Sequence, residues 1–325
     1  MNMEKPAAAR TNNNNNTVNN PIVNEVKKVI CGKDQVILLA LAGMLSGGHV
    51  LIEDVPGVGK TTMALAFSKV LGLDYGRVQF TPDVLPSDIT GFSVYDKNTN
   101  SMNYQQGAIF HNLFLADELN RASSRTQSAL LEAMEEGQVT VDGNTYLLPK
   151  PFVVFATQNP SGAAGTTLLP DSQLDRFTIR ISMGYPAPSD EKAMLMRFKN
   201  GTAIPMQKVE NICTAEKLLE MMNQVSEIFI NENVLSYIVQ ISSLTRNNQN
   251  LERGASPRAT LALAAMSKAY AYLMGRDYVT PWDVQTVLEP VMCHRILLTS
   301  EAEMKGMSTR DVVRDIIKNC KAPKV

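Results

Sequence analysis

An α/β architecture in two parts, an open and mainly parallel sheet between helices followed by an all-helical domain, is what the sequence predicts. Three observations predict it. Short apolar runs at 49–52, 78–80, 113–116, 153–156 and 178–181 are separated by segments of helical periodicity, the pattern of strands buried on both faces. A glycine-rich loop joins the first run to an amphipathic stretch. After Tyr185-Pro186-Ala187-Pro188 the short runs give way to helical periodicity alone.

Taken in order, residues 11–20 are an Asn-rich tract with almost no apolar side chains. They cannot bury enough surface to offset the entropy of ordering, so residues 1–20 are expected to be a disordered tail. From Ile22 to Ser46 apolar residues recur at helical spacing, broken at Cys31-Gly32-Lys33, where Gly32 ends one helix and Asp34 can start the next. Residues 21–187 then form the α/β core. Within it, alternation around Asp142-Gly143-Asn144 predicts a β-hairpin between Gln138 and Leu148. Residues 188–325 form the helical domain, with periodic stretches at 190–200, 214–229, 233–245, 257–274 and 281–298. Thr280-Pro281 reads as a helix cap with proline at the first position, which assigns Trp282 to packing within that domain. His294-Arg295 can complement the negative end of the last helix.

Composition restricts the function without choosing it. The 31 basic and 32 acidic residues leave a formal charge of −1, which removes the global electrostatic case for a nucleic-acid or anionic-membrane partner. Cys31, Cys213, Cys293 and Cys320 are scattered, and the three histidines form no ligand cluster with them, so a reduced, zinc-free, cytoplasmic protein is expected. The longest uncharged apolar run, 36–45, is about half the ~20 residues needed to span a bilayer. No apolar signal-peptide segment opens the chain.

Chemistry concentrates at the ends of the predicted strands. Asp54-Val55-Pro56-Gly57-Val58-Gly59-Lys60-Thr61 follows a strand and opens a helix at Thr62, the context a phosphate-binding loop requires. Glycines let backbone N–H groups converge on phosphate, and the helix N-terminus adds favourable partial charge. Lys60 would reach the β and γ phosphates of ATP, and the Thr61 hydroxyl would ligate Mg²⁺. The usual first glycine is Asp54 here, and a plain glycine-rich turn is the alternative. The strand at 113–116 ends in Asp117-Glu118, positioned for Asp117 to hold Mg²⁺ and Glu118 to polarise the attacking water; a helix N-cap is the other reading. A third strand ends in Thr157-Gln158-Asn159-Pro160, where Asn159 can touch the γ-phosphate or simply begin an Asn-Pro turn. Arg121 and Arg125 read as solvated helix charges.

At these residues the chain resembles the MoxR family of AAA+ ATPases. The resemblance also rests on 79–91 (Gln-Phe-Thr-Pro-Asp-Val-Leu-Pro-Ser-Asp-Ile-Thr-Gly), on Asp117-Glu118-Leu119-Asn120-Arg121-Ala122, on Leu174-Asp175-Arg176-Phe177 and on Gly254-Ala255-Ser256-Pro257-Arg258-Ala259. It implies a five-stranded AAA+ core with a helical lid, and a homo-oligomeric, hexameric ring. It also implies Asn159 as sensor 1, Arg258 as sensor 2 and Arg176 as the finger that reaches a neighbour's ATP. By the same resemblance Ile30 and Gly32 fall in the segment lining the adenine, and the regions 82–106 and 138–149 are insertions facing substrate. The function implied is ATP-driven, chaperone-like remodelling or maturation of partners carrying von Willebrand factor A domains. Two rivals remain. A nucleic-acid motor on the same core is disfavoured by neutral charge, and a nucleotide-gated scaffold with little turnover has small need of Glu118. A kinase or GTPase fits less well, since no Asn-Lys-x-Asp segment occurs.

Overall fold

The computed structural model describes residues 20–98, 100–159, 169–199 and 206–324. The expected tail lies outside these residues except for Asn20, which does not belong to it. Its side chain accepts hydrogen bonds from the Ile22 and Val23 N–H groups at 3.0 and 3.3 Å and caps helix α1 (Pro21–Lys27). Helix α2 (Asp34–Leu45) follows, then β1 (Val50–Glu53), α3 (Lys60–Val70), β2 (Tyr75–Gln79), the short α4 (Pro86–Thr90), β3 (Gly91–Asp96) and β4 (Ser101–Gln106). The core continues through β5 (Leu113–Asp117), α5 (Ser124–Glu136), β6 (Gln138–Val141), β7 (Asn144–Leu147), β8 (Val153–Gln158), α6 (Asp171–Leu174) and β9 (Ile179–Ile181).

All five predicted strands join one sheet in the order β2-β5-β8-β1-β9, and every neighbouring pair is parallel. Alternation along the strands divides the apolar side chains between two layers. Val50, Ile52, Leu113, Leu115, Val153, Phe155 and Ile179 face the layer that contains α2 and α3. Leu51, Phe114, Ala116, Val154 and Ala156 face the layer that contains α5. Because the strands are parallel, their carboxyl ends, at residues 53, 117 and 158, open on one edge of the sheet.

Two hairpins project from this frame. β3 pairs with β4, and β6 with β7 around Asp142 (φ 50°) and Gly143 (φ 78°), the two left-handed residues a tight hairpin requires. Tyr104 of β4 stacks on Tyr146 of β7 at 3.8 Å between ring centroids, which joins the hairpins.

Beyond Pro188 lie α7 (Pro188–Lys199), α8 (Ala215–Glu227), α9 (Glu232–Arg246), β10 (Leu251–Arg253), α10 (Pro257–Leu273), α11 (Pro281–Met292), β11 (Leu297–Leu298), α12 (Ser300–Met304) and α13 (Thr309–Asn319). The expected all-helical domain therefore contains a two-stranded ribbon, β10 with β11. The helix expected over 281–298 stops at Met292, two residues after Pro290, whose ring removes a helical hydrogen bond. Trp282 does not pack within the domain: it is 68% exposed. The buried residues of α11 are Asp283, Val284, Val287, Leu288, Val291 and Met292. At 3.6 residues per turn Trp282 falls on the opposite side from their centre.

His294 and Arg295 also depart from expectation. Both are buried. Arg295 donates to the Val291 carbonyl at 3.2 Å, but it also crosses to the core, donating to the carbonyls of Phe177 at 2.8 Å and Thr178 at 3.2 Å and pairing with the Asp175 carboxylate at 3.0 Å. His294 Nε2 lies 2.9 Å from the Phe177 carbonyl. The pair joins the helical domain to the segment before β9.

Candidate nucleotide site

The turn from β1 into α3 needs glycine where the sequence supplies it. Gly57 has φ 86° and Gly59, the N-cap of α3, has φ 98°, a region that residues with side chains rarely enter. A Cβ on Gly57 would have nothing within 4 Å, so the loop is open to the space before it. That space is a cavity of about 580 Å³ at the strand ends, lined by Pro56, Gly57, Val58, Gly59, Lys60, Thr61, Thr62, Asp117, Glu118 and Asn159, with Ile30 and Met183 among its walls.

Lys60 is 8% exposed, and its ammonium donates to the carbonyls of Asp54 at 2.6 Å and Gln158 at 3.3 Å and to Asn159 Oδ1 at 3.1 Å. Among the described residues it forms no ion pair. Burial lowers its pKa, and the charges of Asp54, Asp117 and Glu118 work against that. A buried ammonium bonded only to neutral oxygens is poised for an anion.

Asp117 is buried and accepts from Thr157 Oγ1 at 2.6 Å and from Arg77 at 2.7 Å, with Thr61 Oγ1 at 3.3 Å. A carboxylate beside a threonine hydroxyl is the hard-oxygen donor set that suits Mg²⁺. Glu118 sits at φ 56°, ψ 44°, in left-handed conformation without being glycine, and its N–H donates to Thr157 Oγ1 at 2.8 Å. Its carboxylate meets Arg121 at 2.9 Å, Asn159 Nδ2 at 3.3 Å and Gln79 Nε2 at 3.5 Å. The hydrogen bond from Arg121 is the main reason its pKa lies below the ordinary glutamate value. Glu118 is thus a carboxylate, able to accept a proton, throughout the neutral range. Arg121 is not the free, solvated helix charge expected; it is tied to Glu118.

Three predicted residues lie elsewhere. Gly32 has φ 67°, is exposed, and would bring a Cβ within 1.9 Å of Asp190 Oδ2 in α7; it does not line the cavity itself, although its neighbours Cys31 and Lys33 do. Arg176 and Arg258 do not line the cavity. They come together on one carboxylate, Glu135 of α5, with Arg176 at 3.4 Å and Arg258 closely paired. The sequence reading missed Arg77, Thr157 and Glu135. Thr157 carried a signal, standing two residues before Asn159 at the end of a strand. The other two act through pairings across the fold that no local pattern encodes.

The model of the ATPase family associated with various cellular activities (AAA) matches residues 49–179 of the chain, and that of the AAA lid domain matches residues 243–316. Uncharacterized protein YeaC of Bacillus subtilis is 44% identical over 93% of this chain and 93% of its own. Chaperone MoxR1 of Mycobacterium tuberculosis is 38% identical over 93% of this chain and 81% of its own. A crystal structure of a Cytophaga hutchinsonii protein superposes with a TM-score of 0.85 at 38% identity, covering 93% of this chain and 94% of that one. With its five-stranded parallel sheet, phosphate-type loop and helical lid, the chain belongs to the MoxR family of AAA+ ATPases.

Proposed function

We propose that the chain binds Mg·ATP in the 580 Å³ cavity, hydrolyses it, and works in the cytoplasm as a subunit of a closed homo-oligomeric ring, a hexamer being what the family resemblance implies. In this reading residues 21–187 are the ATPase core and 188–325 the lid. Lys60 and the 56–62 loop hold the phosphates, Thr61 and Asp117 hold Mg²⁺, Glu118 orients and deprotonates the attacking water, and Asn159 contacts the γ-phosphate or that water. Bound Mg²⁺ would offset the charge of the phosphates. No helix among the described residues is long and apolar enough to cross a membrane.

The carrying observation is the division of the functional groups. Lys60, Asp117, Glu118 and Asn159 converge on the cavity, while Arg176 and Arg258 pair with Glu135 away from it. Such a division supports a site completed in trans, where the two arginines meet ATP held by a neighbour. A head-to-tail interface that closes on itself gives every subunit that contact. The remodelling role is suggested by the relative named as a chaperone, MoxR1 of Mycobacterium tuberculosis, and a partner with a von Willebrand factor A domain is the class the family resemblance implies.

Mixing tests the reading. Arg176→Ala and Lys60→Ala should each be inactive, the first still binding ATP and the second not. Combined, they should regain partial turnover, because some mixed interfaces join an intact loop to an intact finger. Failure to complement in oligomers shown to be mixed would refute action in trans.

A further inference from the structure

Asp54 stands where the phosphate-loop pattern has its first glycine, and the fold gives the departure a use. The ladder between β1 and β9 ends at Ile52 paired with Ile181. Just past that point the Asp54 carboxylate takes over the adhesion. One oxygen accepts from the Val55 N–H at 2.8 Å. The other accepts from the Ser182 hydroxyl at 2.8 Å and the Gly184 N–H at 2.6 Å. The side chain is buried with the residue 7% exposed, and three donors satisfy it. Burial alone would raise its pKa; the bonds from Gly184, Ser182 and Val55 outweigh that and hold it below the ordinary aspartate value.

Ser182 and Gly184 belong to the connector that leaves β9 for α7. This connector touches the phosphate loop at a second point, since Met183 Cε lies 3.6 Å from where a Cβ on Gly59 would sit. At its main chain Asp54 faces the other way. Its carbonyl accepts the Lys60 ammonium at 2.6 Å, and its N–H donates to the Gln158 carbonyl at 3.2 Å. One residue therefore holds the phosphate-seeking cation through its backbone and the connector to the helical lid through its side chain. A glycine could do only the first.

We propose that Asp54 is a positioning residue that couples occupancy of the phosphate loop to the position of the lid connector. This rests on the nucleotide-binding reading above. When phosphate takes the Lys60 ammonium, the Asp54 carbonyl loses its donor. The resulting adjustment of residue 54 is passed through its carboxylate to Ser182 and Gly184. Restoring the pattern glycine would keep a phosphate loop and disconnect it from the lid.

The experiment is hydrogen exchange across the connector and α7 in the full chain, without nucleotide and with saturating ADP and Mg²⁺. In the wild type ADP should change the protection of the connector amides. In Asp54→Gly the Gly184 amide should exchange about tenfold faster, as expected on losing a hydrogen bond to a buried carboxylate, and the ADP-dependent change should vanish. Loss of the ADP response, as distinct from loss of basal protection, is what a merely structural role would not produce. Ser182→Ala removes one donor and leaves the loop sequence intact, so it carries the test if Asp54→Gly does not fold; its ADP response should shrink by about half or more. A full wild-type ADP response in Ser182→Ala overturns the proposal, whatever Asp54→Gly does. Absence of ADP binding by the wild type overturns instead the nucleotide reading beneath it.

Discussion

Lys60 and Arg176, two of the three cations assigned to ATP, are held in opposite ways. Lys60 is 8% exposed and bonded only to carbonyl and amide oxygens. Arg176, about a third exposed at the side chain, shares Glu135 with Arg258. The first arrangement leaves an ammonium in the cavity wall with no carboxylate bonded to it, its charge supported at a distance by Asp54, Asp117 and Glu118, where a low dielectric strengthens an anion's attraction. The second leaves two guanidiniums with one carboxylate between them near the surface, where solvent weakens the pairing. The cavity is thus arranged to draw ligand in, and the arginine face to present charge outward. Each region can be broken without the other.

Glu118→Gln breaks the cavity's chemistry with the largest expected effect. The amide preserves shape but cannot take a proton, so turnover should fall by about 10²–10⁴-fold. Mg·ATP binding should persist, because the Lys60 and Thr61 contacts are untouched. A release assay for phosphate beside a nucleotide-binding titration separates the two. Turnover at the wild-type rate would reduce the Asp117-Glu118 pair to a structural corner. The substitution also removes the charge partner of Arg121, so the variant tests whether that pair is needed for the left-handed backbone at position 118.

Asp175→Ala should break the arginine face with a smaller effect, on stability. Arg295 is 2% exposed at the side chain and pairs with Asp175 at 3.0 Å. Burial drags its pKa down to about 10, against the pull of Asp175. Asp175 is 23% exposed at the side chain and Arg295 keeps its bonds to main-chain carbonyls, so losing the carboxylate should cost about 1–3 kcal/mol. Ser256 Oγ, which donates to the same carboxylate at 3.0 Å, would lose an acceptor as well. Chemical denaturation should register the loss, while nucleotide affinity in the cavity stays near wild type. An unchanged midpoint would mean that the junction between Arg295 and the 175–178 segment contributes little.

The two regions also differ in how far the sequence disclosed them. The cavity was legible because its parts are local: a strand, a glycine turn and a helix start are consecutive, and Asp117-Glu118 ends an apolar run. All five sheet strands were legible for the same reason, their burial on both faces leaving continuous apolar runs. The arginine face was legible only as motifs carried by resemblance. Its geometry depends on Glu135, Asp175 and Arg295, which lie 41 or more residues from at least one of their partners. Asp54 read as a defect in a motif because its partners, Ser182 and Gly184, are 128 and 130 residues away. The end of α11 was misread because the apolar periodicity runs on past Pro290, which breaks the helix, and Trp282 was misread for a different reason. Helical periodicity reports which residues share a side, but not which side the rest of the protein covers.

Acid should weaken both regions, and it tests whether they unfold as one. His49 is buried on the core side, with Nε2 3.0 Å from the Met134 carbonyl of α5 and Nδ1 accepting the Val154 N–H at 3.0 Å. Burial lowers its pKa to about 4. His294, at the arginine face, is also held neutral, by burial and by the adjacent Arg295 charge. A base whose folded pKa lies below its unfolded value binds a proton on unfolding, so its contribution is fully present above about pH 6.5 and is lost as pH falls toward the folded value. At pH 5 the His49 contribution alone should be smaller by about 2 kcal/mol, a pKa gap of roughly 1.5 still being engaged. Urea unfolding at pH 7.5 and pH 5 measures it, and His49→Leu should flatten the slope whatever it does to the absolute stability. The single tryptophan, Trp282, lies in the helical lid, so its fluorescence follows that part of the chain while far-ultraviolet dichroism follows the whole. Coincident transitions at pH 5 would make core and lid one cooperative unit. A fluorescence transition that precedes the dichroism would mean that the lid, released at His294 and Arg295, melts first. Stability that does not change between pH 7.5 and pH 5 would rule out the neutral, buried state of both histidines.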